Sequence, residues 1–422
     1  MRYLKLKRIW ALILLAIVFA TFSSCGTTSS VILKTAPNKP SKRLAEPPIN
    51  AQSLEEWEQQ KPLVNVALQR DVYGSLPSPA NVSLVEKTPL LPNIYPNQGR
   101  AEAWDITIDI AREDGTVAQG KFGMALILPK SNKPVPIISM QTFCPTNTTL
   151  PNLGIDTKGN TMCEGEGFGA GLMFFVFGRH IATPPIEDIL AKGYGIAAMY
   201  PSDLLPDNRL AGRHAVTNLF GASAQGADHN ASIIGGWAYM WAAAAKALAS
   251  DPDIDGKKIA SFGHSRYGKS ALLVGAWSDD IQAVISHQSG TGGASISRNK
   301  PGETVTQIMD AYPHWFASAY AQYDTNAPIV VDQHHLLALI APKPILLGNA
   351  RRDVWSDPVG AFHAAQGADS VYELYGVQGL TAEKLSHFDP KSDLSFWIRG
   401  GTHGIVKEDW PAFLEFLDSH FK

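Results

Sequence analysis

The 422-residue chain is 45% hydrophobic and 18% charged, contains 10 Trp and carries a formal net charge of −3. These values describe a folded globular protein able to bury a large core, and they exclude the disordered and fibrous classes. With 36 Lys and Arg against 39 Asp and Glu, the chain lacks the basic excess that neutralising a nucleic-acid backbone requires.

At the start, Arg2, Lys5, Lys7 and Arg8 precede an apolar run from Ile9 to Phe22, then Ser23, Ser24, Cys25 and Gly26. A basic flank, a run too short for a comfortable membrane span and small residues at its end make residues 1–25 a signal peptide. Small residues ending on a cysteine resemble a bacterial lipobox, although Phe22 departs from that pattern. The resemblance implies that Cys25 is acylated and anchors an exported protein to a membrane, in the periplasm or at the cell surface. Ordinary secretion with cleavage nearby is the alternative. Residues 26–48, rich in Ser, Thr, Pro and Lys, read as a flexible linker. Residues 49–422 read as one domain with decorated loops.

Short apolar runs alternating with helical patterns then spell an α/β fold. In "WDITIDI" (104–110) apolar and polar residues alternate, which predicts a half-buried antiparallel strand near one edge. The runs "VPIISM" (135–140), "GIAAMY" (195–200), "KIASFG" (258–263), "IQAVIS" (281–286) and "PILLGN" (344–349) are apolar throughout, which suits central parallel strands covered on both faces. A helix is expected from Ile233, with Trp237, Trp241 and Leu248 on one face, and another in "SALLVGAWS" (270–278). Trp410, Phe413, Leu414, Leu417 and Phe421 predict a terminal amphipathic helix. Beyond Cys25 the cysteines are Cys144 and Cys163, which could bridge in an oxidising compartment or remain free thiols. No CxxC or HExxH is present, and the neighbouring His334 and His335 would point apart on a helix, so metal-site spacing is absent.

The segment "GHSRYGKS" (263–270) fits two patterns. As G-x-x-x-x-G-K-S it matches a phosphate-binding loop. That reading fails on position and chemistry: the motif lies past the middle of the chain, and His264, Arg266 and Tyr267 bring bulk where glycines let a backbone wrap phosphate. A magnesium-holding aspartate has only a weak candidate at the end of "PIVVD" (328–332). As a strand–turn–helix, the segment instead presents Ser265 as a nucleophile. A serine hydroxyl needs a histidine to take its proton and an acid to fix that histidine, in the chain order Ser, acid, His in α/β-hydrolase folds. Asp353, after "PILLGNARR", and His403, in "LSFWIRGGTHG" before the terminal helix, satisfy that order. Arg266 follows the nucleophile, where a backbone N–H and a guanidinium could face an oxyanion; an arginine paired with a structural carboxylate is the alternative. Lys269 opposes the dipole in the first turn of a helix, which calls for a compensating use, expected to be substrate binding.

"GHSRYGKSALL", "SHQSGTGGASISR", "GETVTQI", "PHWF", "VDQHHLLALIAPKPILL" and "RDVWSDPVGAF" together resemble the glucuronoyl esterases of carbohydrate esterase family 15, over roughly residues 190–410. The resemblance implies an α/β-hydrolase fold, a three-layer sandwich with a mostly parallel central sheet. It further implies hydrolysis of esters between (4-O-methyl-)glucuronic acid on xylan and lignin alcohols, with no metal or organic cofactor and no protein partner. Ser265 is then the nucleophile, His403 the base and Arg266 an oxyanion residue, while Lys269, Glu303, Gln307 and Trp355 match positions that hold the sugar. One departure matters: Gln288 stands where many members carry a triad glutamate. The acid role then passes to Asp353, with Asp357 as fallback, although Asp357 before Pro358 also suits a helix start. Trp315 either lines the site or belongs to the core. The other readings are a broader carboxylesterase or acetyl xylan esterase, and an inactive carbohydrate-binding homologue.

Overall fold

The computed structural model describes residues 46–77, 79–155, 163, 176–298 and 301–422. The expected signal peptide, Cys25 and nearly all of the linker lie outside the described residues. Nine strands form one sheet: β1 (Asn81–Pro89), β2 (Gln98–Ala111), β3 (Val117–Pro129), β4 (Val135–Gln141), β5 (Gly195–Met199), β6 (Ile254–His264), β7 (Ala283–His287), β8 (Ile345–Ala350) and β9 (Leu394–Arg399). Their spatial order is β1-β2-β3-β5-β4-β6-β7-β8-β9. The pairs β1/β2, β2/β3 and β3/β5 are antiparallel, and every pair from β5 to β9 is parallel. This is the mostly parallel, helix-covered sheet of an α/β-hydrolase.

Side-chain alternation builds the three layers. On β4, Ile137 packs to one face and Ile138 to the other; on β6, Ile259 and Ala260 do the same, as do Val284 and Ile285 on β7. Both neighbours are buried each time, so a period-2 pattern is hidden under continuous apolarity. One face receives the helices Ile233–Ala249, Arg266–Trp277, Gln333–Ile340 and Pro358–Leu374; the other receives Ile186–Ala191 and the terminal helix Asp409–Phe421. The helix from Ile233 is capped by Ser232, whose hydroxyl accepts from Gly235 N. Its Trp237 and Trp241 are fully buried, and their indole N–H groups donate to Leu205 O (2.9 Å) and Ser139 Oγ (2.8 Å), so neither carries an unpaired donor into the core.

"WDITIDI" lies in β2, second from the edge, with Trp104, Ile106, Ile108 and Ile110 all buried. Outside it β1 is mostly exposed, which leaves no apolar periodicity to mark it as a strand. Cys144 and Cys163 are joined in a disulfide. The last linker residues belong to the body, since His334 Nε2 bonds to Pro47 O at 2.8 Å. Among the described residues no helix is long and apolar enough to cross a membrane, and no cluster of His, Cys, Asp and Glu could hold a metal ion.

A buried ion pair joins the sheet to the terminal helix. Asp409 accepts from Arg399 Nε at 2.8 and 2.9 Å and from Val406 N at 2.9 Å, with His287 Nε2 3.4 Å away. Burial favours the neutral acid, but His287 and Arg399 outweigh it and hold the carboxyl down to about 2. A depressed carboxyl stabilises the fold above the unfolded carboxylate range and stops doing so as pH falls through its folded value. Asp409→Asn is therefore expected to cost about 3–5 kcal/mol near neutral pH, because Arg399 stays buried without its counter-charge. Thermal unfolding followed by circular dichroism at descending pH should show that deficit shrinking toward pH about 2, where the wild-type carboxyl is itself protonated.

Candidate active site

The strand β6 ends at His264, Ser265 follows at φ 56° and ψ −122°, and a helix begins at Arg266. A non-glycine residue in that region is strained and persists only where its surroundings hold it. Here Ser265 N donates to His287 O (2.8 Å) and Gly268 N donates to Ser265 O (2.9 Å). The glycines that permit the turn stand at 263 and 268. A Cβ on Gly263 would lie 2.0 Å from Tyr267 O, and one on Gly268 would lie 2.9 Å from Ser289 Cβ. The glycine one residue later than in G-x-S-x-G therefore still performs the same task, letting helix and strand approach.

The phosphate-loop pattern is incompatible with this geometry. Lys269, only 3% exposed, points inward and donates from Nζ to Ser289 O and Thr291 O, each at 2.5 Å. Asp332, the weak magnesium candidate, is fully buried and caps the helix Gln333–Ile340. The helix-dipole conflict at Lys269 is thus offset by two backbone carbonyls.

Asp353 and His403 meet directly: the imidazole Nδ1 lies 2.7 Å from Asp353 Oδ2. Asp353 sits after β8, fully buried, and also accepts from Ser356 N at 3.3 Å. Burial pushes its carboxyl up, but the His403 ring and the bonds from His403 and Ser356 prevail and hold it below the usual range. The ring of His403 packs at a tilt of 43° against that of His264, with centroids 4.6 Å apart, which sets it beside the elbow. Ser265 Oγ makes no hydrogen bond to His403; such bonds are often long at rest and tighten around a substrate. Asp357 takes its other expected part, accepting from Gly360 N (2.9 Å) as cap of the helix Pro358–Leu374.

Two further histidines lie beneath the base, and nothing in their sequence context distinguished them. His264 Nδ1 is 3.1 Å from His287 Nδ1, so one ring donates and the other accepts. Burial, then the neighbouring His403 and His287, push His264 well below its ordinary value, leaving it neutral.

Arg266 donates from Nη1 to Asp207, and its guanidinium lies over the rings of Trp315 (5.0 Å) and Phe143 (5.5 Å). Asp207, which no sequence motif singles out, also accepts from Trp315 Nε1 (2.7 Å) and pairs with His314 Nε2 (2.9 Å). Burial opposes its charge, but His314 and Arg266 hold the carboxyl down to about 2. The alternative of a paired arginine is thus realised, yet Arg266 Nε remains buried without a partner among the described residues. Trp315 is core, and its indole ring stacks on Tyr312 at 3.9 Å.

Lys269, Glu303, Gln307 and Trp355 fall on one connected strip. Thr291 accepts from Lys269 through its carbonyl and donates its hydroxyl to Glu303 O (2.5 Å), while Glu303 N donates to Trp355 O (2.9 Å). Gln307 closes a capping box with Thr304, next to Glu303. Gln288 has no contact with the imidazole; its amide bonds to the backbone on either side of His403. A cavity of about 430 Å³ opens beside His403, lined by Phe177, Arg399, Thr402 and Glu408. A larger groove of about 730 Å³ lies on the terminal helix and is lined by none of Ser265, Arg266, Asp353 and His403.

A family model described as "Glucuronyl esterase, fungi" matches residues 212–376. Carbohydrate esterase MZ0003, from an unknown prokaryotic organism, is 40% identical over 240 residues, covering 56% of this chain and 55% of that protein. The 4-O-methyl-glucuronoyl methylesterase 1 of Wolfiporia cocos is 31% identical over 212 residues, covering 48% of this chain and 50% of that protein. The chain thus spans about half the length of these curated relatives. Among solved structures, a promiscuous CE15 esterase from a marine bacterial metagenome superposes with a TM-score of 0.74 at 28% identity, over 91% of this chain and 98% of that one. The glucuronoyl esterase from Solibacter usitatus gives 0.74 at 26% identity, over 91% and 99%. In its motifs and over most of its fold, the chain is thus similar to the glucuronoyl esterases of carbohydrate esterase family 15.

Proposed function

We propose that the chain is a serine esterase that cleaves esters of (4-O-methyl-)glucuronic acid, the type of link that joins glucuronoxylan to lignin. The observation that carries this reading is the pair of buried Asp353 and His403, the imidazole packed against His264 at the strand end that presents Ser265. His403 takes the proton of Ser265 as its oxygen attacks the uronoyl carbonyl, and Asp353 fixes the tautomer and stabilises the imidazolium. The Arg266 backbone N–H and its unpaired Nε stabilise the oxyanion, Asp207 holding the guanidinium in place. His403 then protonates the leaving alcohol, and water attacks the acyl-serine by the same route to free the acid. The esterified carboxyl carries no charge, so recognition falls to the hydroxyls and the ring. Lys269, Glu303, Gln307 and Trp355 supply hydrogen bonds and an apolar face from one strip.

The name of the promiscuous bacterial relative favours one second reading, a carboxylesterase of wider range. Export through residues 1–25 accords with the disulfide, since bridges persist in oxidising compartments. Acylation of Cys25 would add a lipid anchor.

Hydrolysis of benzyl glucuronate against an acetyl ester separates the two activities: this reading expects the glucuronate ester to have the higher kcat/KM, and faster acetyl hydrolysis would refute it. Ser265→Ala should abolish turnover in either case. Asp353→Asn is expected to lower kcat on the order of 10³–10⁴-fold with the fold intact. Asp357→Ala should leave kcat near wild type and cost about 1 kcal/mol of stability in thermal unfolding. In a bacterial host, Cys25→Ser should move the protein from the membrane fraction to the soluble one.

A further inference from the structure

The base of this site sits in a loop with no regular structure of its own. Residues 400–406, G-G-T-H-G-I-V, contain Gly401 at φ 93° and Gly404 at φ 149°, conformations that only glycine adopts readily. Three glycines in seven positions leave the local chain unable to fix His403, so its placement must come from outside. We propose that Gln288 is a positioning residue for His403, an amide clamp that fixes the backbone on both sides of the base. The proposal rests on His403 being that base.

Gln288 Nε2 donates to Thr402 O (3.2 Å), and Gly404 N donates to Gln288 Oε1 (2.8 Å). One side chain thus grips the residues immediately before and after His403. Arg399 works from the other side, with Nη1 donating to Gly400 O (2.8 Å) and Nη2 to Thr402 O (3.2 Å) and Gly404 O (2.6 Å). Ile405 N donates to Phe177 O (2.8 Å) and His180 N to Ile405 O (3.2 Å), which closes the account downstream. Of the two side chains, Gln288 and Arg399, Gln288 is the one that both donates and accepts.

Its own backbone is strained for the purpose. Gln288 is 2% exposed and sits at φ 50°, a conformation that costs a non-glycine residue free energy and is held here by Gln288 N donating to Gly348 O (2.7 Å). The chemistry also selects the amide. A carboxylate of the same length can only accept, so it would satisfy Gly404 N while facing Thr402 O with a repelling oxygen. Position 288 therefore orients the base through its backbone, and Asp353 alone supplies the charge opposite the imidazole.

Two nearly isosteric changes test this in the full chain. Gln288→Glu and Gln288→Met are each expected to lower kcat on the order of 10–100-fold with KM within about two-fold, because misplacing a catalytic group by about an ångström costs rate rather than binding. As pH falls, the ratio of Q288E to wild-type kcat should rise, since a protonated carboxyl regains one donor; the Q288M ratio should stay flat. The double variant D353N/Q288E should be no more active than D353N. Wild-type kcat in Q288M, or rescue of D353N by the added carboxylate, overturns the proposal. Where a buried carboxylate prevents folding, Q288M carries the test. The rate at which a fluorophosphonate labels Ser265 should fall in parallel; that readout needs no sugar ester, so a failed substrate assignment leaves the clamp testable.

Discussion

A carboxylate buried after β8 has one partner of opposite character within reach, the imidazole of His403, and the site is organised around keeping those two together. An isolated buried carboxylate would be costly, and His403 with Ser356 offsets that cost while fixing which ring nitrogen carries the proton. Asp353 follows the end of one parallel strand and His403 lies in the loop after the next. Register between β8 and β9, with Ala350 opposite Arg399, therefore brings the pair into line. A one-residue slip would send every side chain of β9 to the other face and carry the base loop with it.

Beneath this pair the molecule places polar groups in unusual density for a core. His264, His287, Asp409 and Arg399 form a connected series from the ring face of His403 to the ion pair that joins β9 to the terminal helix. Most bonds in the series have a directional partner, so the arrangement specifies geometry as well as stability. The Arg266–Asp207–Trp315 cluster does the same for the residue that follows Ser265. The base and the guanidinium are both held by side chains far from them in sequence, which is what a reaction needing little reorganisation requires.

Much of the fold was legible because its signals are local. Continuous apolar runs marked the parallel strands, helical spacing of Trp237 and Trp241 marked a covering helix, and glycine and serine at a strand end marked the elbow. The exposed β1 carried no such signal, because a strand that buries almost nothing has no periodicity to read. In the site, Ser265, Asp353 and His403 were accessible through chain order and position relative to strands. Asp207 was not, since its significance comes wholly from Arg266, His314 and Trp315 brought to it by folding. Lys269 was anomalous in sequence for a sound reason, but its resting bonds to Ser289 O and Thr291 O depend on a loop whose path no local pattern encodes. The choice between bridged and free cysteines likewise waited on three-dimensional proximity.

That disulfide has a further meaning for the site. Cys144 directly follows Phe143, whose ring packs on Tyr267 at 4.8 Å and on His264 at 5.9 Å and lies beneath the Arg266 guanidinium. The covalent tether thus ends one residue from an aromatic wall shared by Arg266 and His264, the ring on which His403 rests. A chain matured among reducing thiols would keep every side chain of the site yet lose the staple that steadies that wall, so the compartment in which the protein folds becomes part of how the site is set up.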